Sequence, residues 1–449
     1  MKKTIIVILL SLILILATIA FAFSMKGDTT SEPQTSENPS SGSTASKDDS
    51  STPTTSEPTN SDASNNESKS EGSEPEVSQS GDNKVIKFVA VGDSVMHTSI
   101  LNDASEKATD GETYNFDPIY EDMIDYIKSK DIAYVNVETL IGGPSQPIGG
   151  YPNFNSPEEI GNYLVDMGFN VMNLAHNHML DSYDTTFLKY CNNFFKEKGV
   201  TPIGYYKNEE DTNNIIVVEE QGVRIAFLTY TYGTNGITKP ASDPTYIPLI
   251  NDTLIKMQVA LAKQQADLVF VSMHWGEEDS WNGTNNVYPP NAEQKRVAQL
   301  LVDEGVDVII GMHPHVIQEC KWVERPDGGK TFLVYSLGNF ISGMYWGRNM
   351  LGAMLELDIV VENGVVSIEN PMMIPIVDHY IRRTGEVFRD FKIYFFQDYT
   401  EELAAAHGCH TKDDPLISTA YGRKIFSVSS MLEKIYGTFS KEFLPAYLQ

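Results

Sequence analysis

The sequence has few cysteines and a shortage of positive charge. Its three cysteines, Cys191, Cys320 and Cys409, lie far apart and do not show the spacing of a thiolate metal site. Lys and Arg number 33 against 61 Asp and Glu, which gives a formal net charge of −28. Such acidity argues against a nucleic-acid-binding surface, and a polyanionic substrate would need a local cationic centre such as a bound metal.

The one long apolar run covers residues 4 to about 24 and follows two lysines. It is about long enough to span a bilayer. Residues 1–26 are therefore predicted to be a membrane anchor, or a signal peptide cleaved near residues 20–22. No cysteine follows the run, so lipid attachment at this point is excluded. The positive-inside rule predicts a single-pass protein of the cell membrane with its C-terminal domain outside the cell, or a secreted protein if the segment is cleaved.

Residues 27–82 are rich in Ser, Thr, Pro, Glu and Asn and have no periodic apolar pattern. Twelve acidic residues against two lysines give this segment a charge of −10. A segment of this composition cannot bury enough apolar surface to fold, and its self-repulsion keeps it extended. It is predicted to be a disordered tether between the membrane and a folded domain that begins at residue 83.

From residue 84 onward, short apolar runs typical of buried strands alternate with segments of helical periodicity. This alternation predicts a layered α/β domain. A Glu-Asn-Gly turn at residues 362–364 predicts a β-hairpin, and residues 376–449 are predicted to form a helical C-terminal extension. Strands are predicted at 85–91, 132–135, 169–172, 200–203, 215–218, 224–230, 266–273, 306–311 and 331–335, and helices at 117–129, about 157–167, 184–198, 252–265, 291–304, 400–406 and 419–436.

Polar side chains follow five of the predicted strands, and six of the nine histidines lie at or beside strand ends. Open α/β folds bind their ligands at the carboxyl ends of strands. Asp93 alone is equally compatible with a helix N-cap, and a single strand-end histidine is usually structural. Five such ends in one series are hard to explain in that way, and carboxylate, amide and imidazole groups together suit a two-metal hydrolytic site. The five groups are Asp93; Asn136 and Glu138; Asn177 and His178; His274; and His313 and His315.

The spacing of His313 and His315 predicts that both rings lie on one face of an extended backbone. Pro314 between them fixes its own φ and donates no backbone hydrogen bond, which predicts a stiff segment.

These motifs together resemble the CapA family of capsule-synthesis proteins, which is associated with poly-γ-glutamate capsules and built on the calcineurin-like metallophosphoesterase fold. Their order and spacing match over about residues 86–375, which implies a metallophosphoesterase-like β-sandwich flanked by helices over residues 83–375. The motifs are Val91-Gly92-Asp93-Ser94; Asn136-Val137-Glu138; Ala175-His176-Asn177-His178 with Asp181; His274-Trp275-Gly276 with Glu278; Gly311 with His313-Pro314-His315; and Ser336-Leu337-Gly338-Asn339-Phe340.

The resemblance implies a divalent metal, with two ions as one possibility and Mn, Fe or Zn as candidates. It implies that His178 acts as general acid. The implied metal ligands are Asp93, Glu138, Asn177, His274, His313 and His315, and the implied supporting residues are His97, Asn136, His176, Asp181, Glu278 and Asn339. The chain departs from the superfamily pattern at two points: Glu138 replaces the bridging Asp, and the usual Asp-x-His of the first strand is absent, His97 being the nearest imidazole.

Arg348 is predicted to contact an anionic substrate, with a surface or structural role as the alternative. Three functions stay open at this point. The first is a metal-dependent hydrolase, acting on a phosphoester or an anionic extracellular polymer during capsule synthesis, export or anchoring. The second is a non-catalytic subunit of a capsule-synthesis complex. The third is a metal-dependent amidase acting on γ-glutamyl bonds.

Overall fold

The computed structural model describes residues 83–449 except 279–285, 386 and 410–425. These residues belong to one compact unit, Val77–Gln449. Within the described part of the chain, no helix is both long and apolar enough to cross a membrane. The predicted anchor at residues 1–26 and the predicted tether at residues 27–82 lie outside the described residues.

The first sheet has eight strands, and its central strand is β1. The strands follow the spatial order β14-β13-β12-β1-β2-β3-β4, with β11 also paired to β1. Strands β1 to β4 run parallel, whereas β12, β13 and β14 add antiparallel pairs on the other side. The strands are β1 (Lys84–Ser94), β2 (Ile132–Asn136), β3 (Val171–Asn173), β4 (Thr201–Ile203), β11 (Asn339–Ile341), β12 (Leu351–Glu362), β13 (Val365–Arg383) and β14 (Val387–Phe395).

The second sheet has six strands in the order β5-β6-β7-β8-β10-β9. Its four inner strands are parallel and its two edge strands are antiparallel to their neighbours. The strands are β5 (Ile216–Glu220), β6 (Val223–Thr231), β7 (Leu268–His274), β8 (Val308–Met312), β9 (Cys320–Glu324) and β10 (Lys330–Val334).

The two sheets pack face to face, and helices cover their outer faces. Phe88 of β1 meets Phe270 of β7 edge to face, with ring centroids 5.1 Å apart. The helices are α1 (Thr98–Glu106), α2 (Asp117–Lys128), α3 (Glu158–Asp166), α4 (Thr186–Glu197), α5 (Asp252–Gln265), α6 (Ala292–Asp303), α7 (Glu401–Ala406) and α8 (Val428–Thr438). Helices α1 and α2 contact β14, and α4 contacts β4.

Alternate residues of β7 enter two different cores, which explains its continuous apolar sequence. Phe270 belongs to the core between the sheets, whereas Val269 and Val271 belong to the core beneath α5 and α6. Because both faces of β7 are buried, its apolar side chains do not alternate with polar, solvent-facing ones. The predicted layered α/β domain is confirmed in these terms.

Each strand and helix predicted between residues 84 and 335 is present within a few residues of its predicted bounds. The predicted hairpin is also present, as β12 and β13. Helix α1 was not predicted.

The predicted helical extension at 376–449 is wrong in its first part. Strand β13 runs through the predicted boundary at residue 375, and β14 follows it in the same sheet. Residues 373–380 are buried on both faces and include the polar side chains of Asp378 and His379, so the sequence there shows no period-two alternation. Helix α7 lies where predicted, while the predicted helix at 419–436 lies partly outside the described residues and is seen as α8.

Candidate metal centre

The parallel strands of both sheets deliver their polar residues to one edge of the sandwich. In sheet one, Asp93 pairs in register with Asn136 of the neighbouring strand. In sheet two, His274 pairs with Met312, the residue before His313. The five predicted strand ends therefore lie next to one another, although Asp93 and His313, for example, are 220 residues apart in the chain.

Glu138 lies at the centre of this cluster. Its Oε1 is 3.6 Å from Nε2 of His274 and 3.7 Å from Nε2 of His315. Three groups of side chains place one ligand atom per residue within 4.8 Å of one another. One is Glu278, His313 and His315, and the other two both contain Glu138: Glu138, His274 and His313, and Asp93, Glu138 and His315. Because these two groups share Glu138, the arrangement can hold two ions that share one carboxylate.

Asn177 reaches the first of these two groups. Its Oδ1 is 2.9 Å from Nε2 of His274, so the amide oxygen and the imidazole nitrogen point to the same place. Its Nδ2 donates to Oδ1 of Asn235 at 3.1 Å, which fixes the orientation of the amide. The structure thus brings Asn177 together with the other candidate ligands.

His313 and His315 do not lie on extended backbone, contrary to the prediction. Their φ angles are 97° and 54°, a region that non-glycine residues rarely adopt. The backbone N–H of His313 donates to Oδ2 of Asp93 at 3.1 Å, and this bond holds the turned backbone. The two rings still lie on the same side, with centroids 5.9 Å apart. Unfavourable backbone of this kind persists where the surrounding structure constrains it, and it is frequent at functional sites.

A chain of hydrogen bonds across the two sheets orients Asp93. Asn136 donates to Oδ1 of Asp93 at 2.7 Å, and Asn173 donates to Oδ1 of Asn136 at 2.7 Å. Thr229 of β6 then donates to Oδ1 of Asn173 at 2.7 Å. Asn136 therefore orients the Asp93 carboxylate, while a supporting role at a metal site stays a prediction. Sequence reasoning missed the contributions of Asn173 and Thr229, although the position of Asn173 beside Asn136 in parallel register was a usable signal.

His178 is paired with a carboxylate. Its Nδ1 is 2.8 Å from Oδ2 of Asp181. The same Oδ2 accepts from the backbone N–H of Phe154 at 2.7 Å, and the Phe154 ring lies edge-on to His178. Asp181 thus orients His178 and also anchors the loop that covers it.

The other predicted supporting residues divide into near and remote ones. Asn339 is 2.8 Å from Nδ1 of His315, which leaves Nε2 free to bind a metal. His176 is fully buried and its Nδ1 accepts from the backbone of His178 at 3.2 Å. Glu278 approaches Nδ1 of His313 at 3.8 Å.

His97 is the remote one of the predicted supporting residues. It lines the cleft, but it belongs to none of the possible ligand groups among the described residues. Its Nδ1 is instead 3.0 Å from the backbone N of Gly343.

Arg348 does not reach the cluster, so its predicted contact with the substrate anion is not supported. Only 3% of its surface is exposed, and its guanidinium lies 5.1 Å from the ring of Trp346. It lines a small separate cavity together with Lys434 of α8 and Tyr288. The sequence placed it close to the Asn339 motif, but the backbone turns at residues 347–349 and directs the side chain inward.

Tyr232 and Asn235 are members of the site that sequence reasoning missed. The Tyr232 ring lies 4.4 Å from the ring of His313, between ring centroids. Nδ2 of Asn235 lies 3.4 Å from Nδ1 of His178. Both residues come from the long loop after β6, which carries no metal-ligand pattern, so only the fold reveals their position.

The electrostatics of the cluster fit a divalent cation. Burial lowers the pKa of His274 and of His313 well below the usual imidazole value, so both rings are neutral and able to act as ligands. Burial, and then the charge of Asp93, raises the pKa of Glu138 well above its usual range. Burial alone would lower the pKa of His315, but Glu138 and Asp93 outweigh it and raise that pKa to about 10. Glu138 and His315 therefore favour their protonated forms. A bound cation could balance the negative charge of the carboxylates in place of these protons.

Two orphaned atoms support the same conclusion. Oε2 of Glu138 and Nδ1 of His313 are buried and have no hydrogen-bond partner among the residues that the structure describes. Buried polar atoms are rarely left in this state, because each costs about 1–3 kcal/mol. A metal bound between the two sheets would satisfy the carboxylate. The donor set of oxygen and imidazole nitrogen suits Mn, Fe or Zn.

Comparison with known proteins identifies the family. Residues 87–344 match the family model described as "Bacterial capsule synthesis protein PGA_cap", which is more than half of the 449-residue chain. The chain belongs to this family. All candidate ligands, from Asp93 as the first to His315 as the last, lie within the residues matched to PGA_cap. His178 and Asn339 also lie within them, whereas Arg348 lies outside.

Two curated relatives bear capsule-related names. The chain is 29% identical over 284 residues to "Capsule biosynthesis protein CapA" of Bacillus anthracis, covering 61% of this chain and 64% of that protein. It is 28% identical over 284 residues to "PGA biosynthesis protein CapA" of Bacillus subtilis (strain 168), covering 63% of this chain and 70% of that protein. The match thus spans about two thirds of each relative.

Partial structural similarity extends to a putative 5'-nucleotidase from Staphylococcus aureus, with a TM-score of 0.41 and 14% identity over 66% of this chain and 55% of that one. A calcineurin-like phosphoesterase from Bacillus subtilis gives a TM-score of 0.33 and 12% identity over 64% of this chain and 91% of that one. These structural matches are too partial to indicate the chemistry of the PGA_cap site.

Proposed function

We propose that this capsule-synthesis protein is a metal-dependent phosphoester hydrolase that acts outside the cell in the synthesis, export or anchoring of an anionic polymer such as poly-γ-glutamate. The observation that carries the proposal is the position of Glu138, which belongs to two of the three groups of candidate ligands. A carboxylate shared by two histidine-containing groups suits a two-metal hydrolytic centre.

The residues of the chain would divide the work as follows. Asp93, Glu138, Asn177, His274, His313 and His315 would hold the metal. A divalent ion bound there supplies Lewis acidity and an activated water. His178 lines the cleft and would protonate the leaving oxygen. Asp181, 2.8 Å from Nδ1 of His178, would keep the ring oriented and stabilise its protonated form.

The cleft beside the cluster accepts a substrate of moderate size. A cavity of about 450 Å³ is lined by Glu138, Asn177, His178 and His315, so a bound group would touch both the candidate ligands and the proposed acid. This volume is within the usual range for small-molecule sites.

A direct experiment is metal analysis of the purified full-length protein, coupled to hydrolysis of a generic phosphodiester. We expect one to two ions per chain, and we expect His313→Ala to lose metal and activity together. His379→Ala removes a buried histidine outside the cluster and serves as the matched control, with folding checked by circular dichroism. Less than near-stoichiometric metal in the purified protein would refute the proposal.

One observation favours a second candidate, a non-catalytic subunit of a capsule-synthesis complex. The first strand lacks the Asp-x-His motif, and the nearest imidazole, His97, is not in any of the possible ligand groups. Full metal occupancy without hydrolysis of any phosphoester or γ-glutamyl substrate would support this candidate.

The location at the cell membrane is part of the proposal. It is supported by the apolar run of residues 4–24 and the polar segment that follows it. Protease treatment of intact cells tests it: the domain should be degraded from outside, and cell fractionation should distinguish an anchored chain from a secreted one. Protection of the domain in intact cells would contradict this location.

A further inference from the structure

The cleft over the metal cluster is larger than one phosphate requires. A second cavity of about 210 Å³ adjoins the one described above, and the two share His97, Tyr151, Glu278, His315 and Met344 in their linings. They therefore form one continuous cleft, with the cluster at its floor.

Aromatic side chains form the walls of this cleft. Tyr151 exposes 60% of its surface and Tyr183 exposes 65%, and both line the larger cavity together with the buried Phe154. Tyr345 and Trp346 line the smaller cavity. Two of these rings are exposed and two are half-buried, and aromatic rings that reach the surface around one polar site indicate a binding surface rather than a folding core.

The charge of the cleft disfavours one kind of occupant. Among the described residues that line the two cavities there is no Lys or Arg; Arg348 and Arg382 contact the rings of Trp346 and Tyr345 but line neither cavity. Glu278 lines both cavities, and 42% of its side chain is exposed. Outside the candidate metal ligands, the described lining thus offers an extended polyanion no cation to pair with.

We propose that the cleft binds a phosphoester whose organic substituent carries an uncharged ring, and not a segment of the anionic polymer. The phosphoryl group would occupy the cluster, and the flat face of a sugar or nucleoside ring would lie on the aromatic walls. This inference rests on the proposed function, because it assigns a substrate class to the same site.

The reaction with such a substrate is a simple hydrolysis. The oxygen of water forms a new bond to phosphorus, and the bond from phosphorus to the ring-bearing oxygen breaks. His178 gives its proton to that leaving oxygen, and the proton lost by water goes to solvent. No oxidant, reductant or further reactant is needed.

Binding of non-hydrolysable ligands to the metal-loaded, full-length protein tests the inference by isothermal titration calorimetry. The probes are the methylene phosphonate analogues of a hexose phosphate, a nucleoside monophosphate and glycerol phosphate, and an oligomer of γ-linked glutamate. We expect at least one ring-bearing phosphonate to bind about tenfold more tightly than the glycerol analogue, because ring stacking on aromatic side chains has this magnitude. Tighter binding of the hexose analogue would identify the substrate as a sugar phosphate, and tighter binding of the nucleoside analogue would identify it as a nucleotide.

Tyr151→Ala should abolish this preference, while Tyr436→Ala, at an exposed tyrosine on α8 outside the cleft, should leave it intact. Equal binding of the three phosphonates overturns the inference, and so does tighter binding of the γ-glutamate oligomer. Either result leaves the proposed hydrolase standing if metal is bound and a generic phosphodiester is cleaved. Failure to bind metal removes the proposed function itself, so the two failures are distinguishable.

Discussion

Glu138→Gln separates the role of this residue in metal binding from its role in folding. Burial favours the neutral form of Glu138 in the metal-free protein, and a Gln side chain has nearly the shape of a protonated Glu. We therefore expect the free energy of unfolding of the metal-free protein to change by about 1 kcal/mol or less. Because Glu138 belongs to two of the three candidate ligand groups, we expect metal binding to be lost at these two.

The size of the effect follows from linkage. A ligand at 100 times its Kd stabilises the folded state by about 2.7 kcal/mol. A domain the size of residues 83–449 has an entropy of unfolding of about 0.8 kcal/mol/K near its melting temperature. One bound ion should thus raise Tm by about 3 °C and two ions by about 7 °C. Glu138→Gln should remove this rise and leave the metal-free Tm almost unchanged.

The assay is scanning calorimetry of chelator-treated protein with and without Mn²⁺, together with metal analysis. Glu319→Gln, at an exposed carboxylate paired with Lys321, is the matched control and should keep the full metal-induced shift. An unchanged shift in Glu138→Gln would show that the shared carboxylate does not hold the metal. A metal-free protein that unfolds on this substitution would refute the argument from burial.

Three further predictions concern catalysis, pH and packing. His178→Ala should keep the metal content but lower the rate of phosphoester hydrolysis by about 10²–10⁴-fold, measured by steady-state kinetics; loss of metal as well would argue against a proton-donor role. Burial raises the pKa of Asp378, whose Oδ2 accepts from Ser342, to about 8. Between its usual pKa of 3.8 and about 8 the folded chain keeps a proton that the unfolded chain releases, so stability should fall as pH rises across this window. Asp378→Asn should reduce this slope in urea unfolding by up to about 1.4 kcal/mol per pH unit, and an unchanged slope would contradict the assignment. Gly92→Ala should destabilise the domain by about 1–3 kcal/mol or more in the same assay, because a Cβ there would lie 1.9 Å from the carbonyl oxygen of Gly338; wild-type stability would disprove this close packing.

Much of the architecture could be predicted from local patterns. The buried runs that became β1, β7 and β8 contain three or four successive apolar residues, and α5 and α6 show a clear helical period. Strand β13 was predicted only over residues 365–368 of the hairpin, because buried polar residues and double-sided burial hide the strand pattern farther along. Boundaries of this kind depend on which neighbouring strand is available, and that is a tertiary property.

The site was predicted in part. The candidate ligands follow strand ends, so their convergence could be inferred from the general behaviour of α/β sheets. The turned backbone at His313 and His315 and the inward direction of Arg348 could not be inferred, since each depends on hydrogen bonds or packing with distant segments. The same holds for Tyr232, which approaches His313 through a loop without a motif.

The sequence by itself determined the strand–helix alternation, the chemical types of the candidate ligands and the strand ends that carry them, because these are properties of residues close in the chain. Only the tertiary structure decided that Glu138 is shared by two groups, that Asp181 holds His178, and that aromatic rings wall the cleft. These relations join residues from both sheets and several loops, and packing of the two sheets is what brings them within a few ångströms.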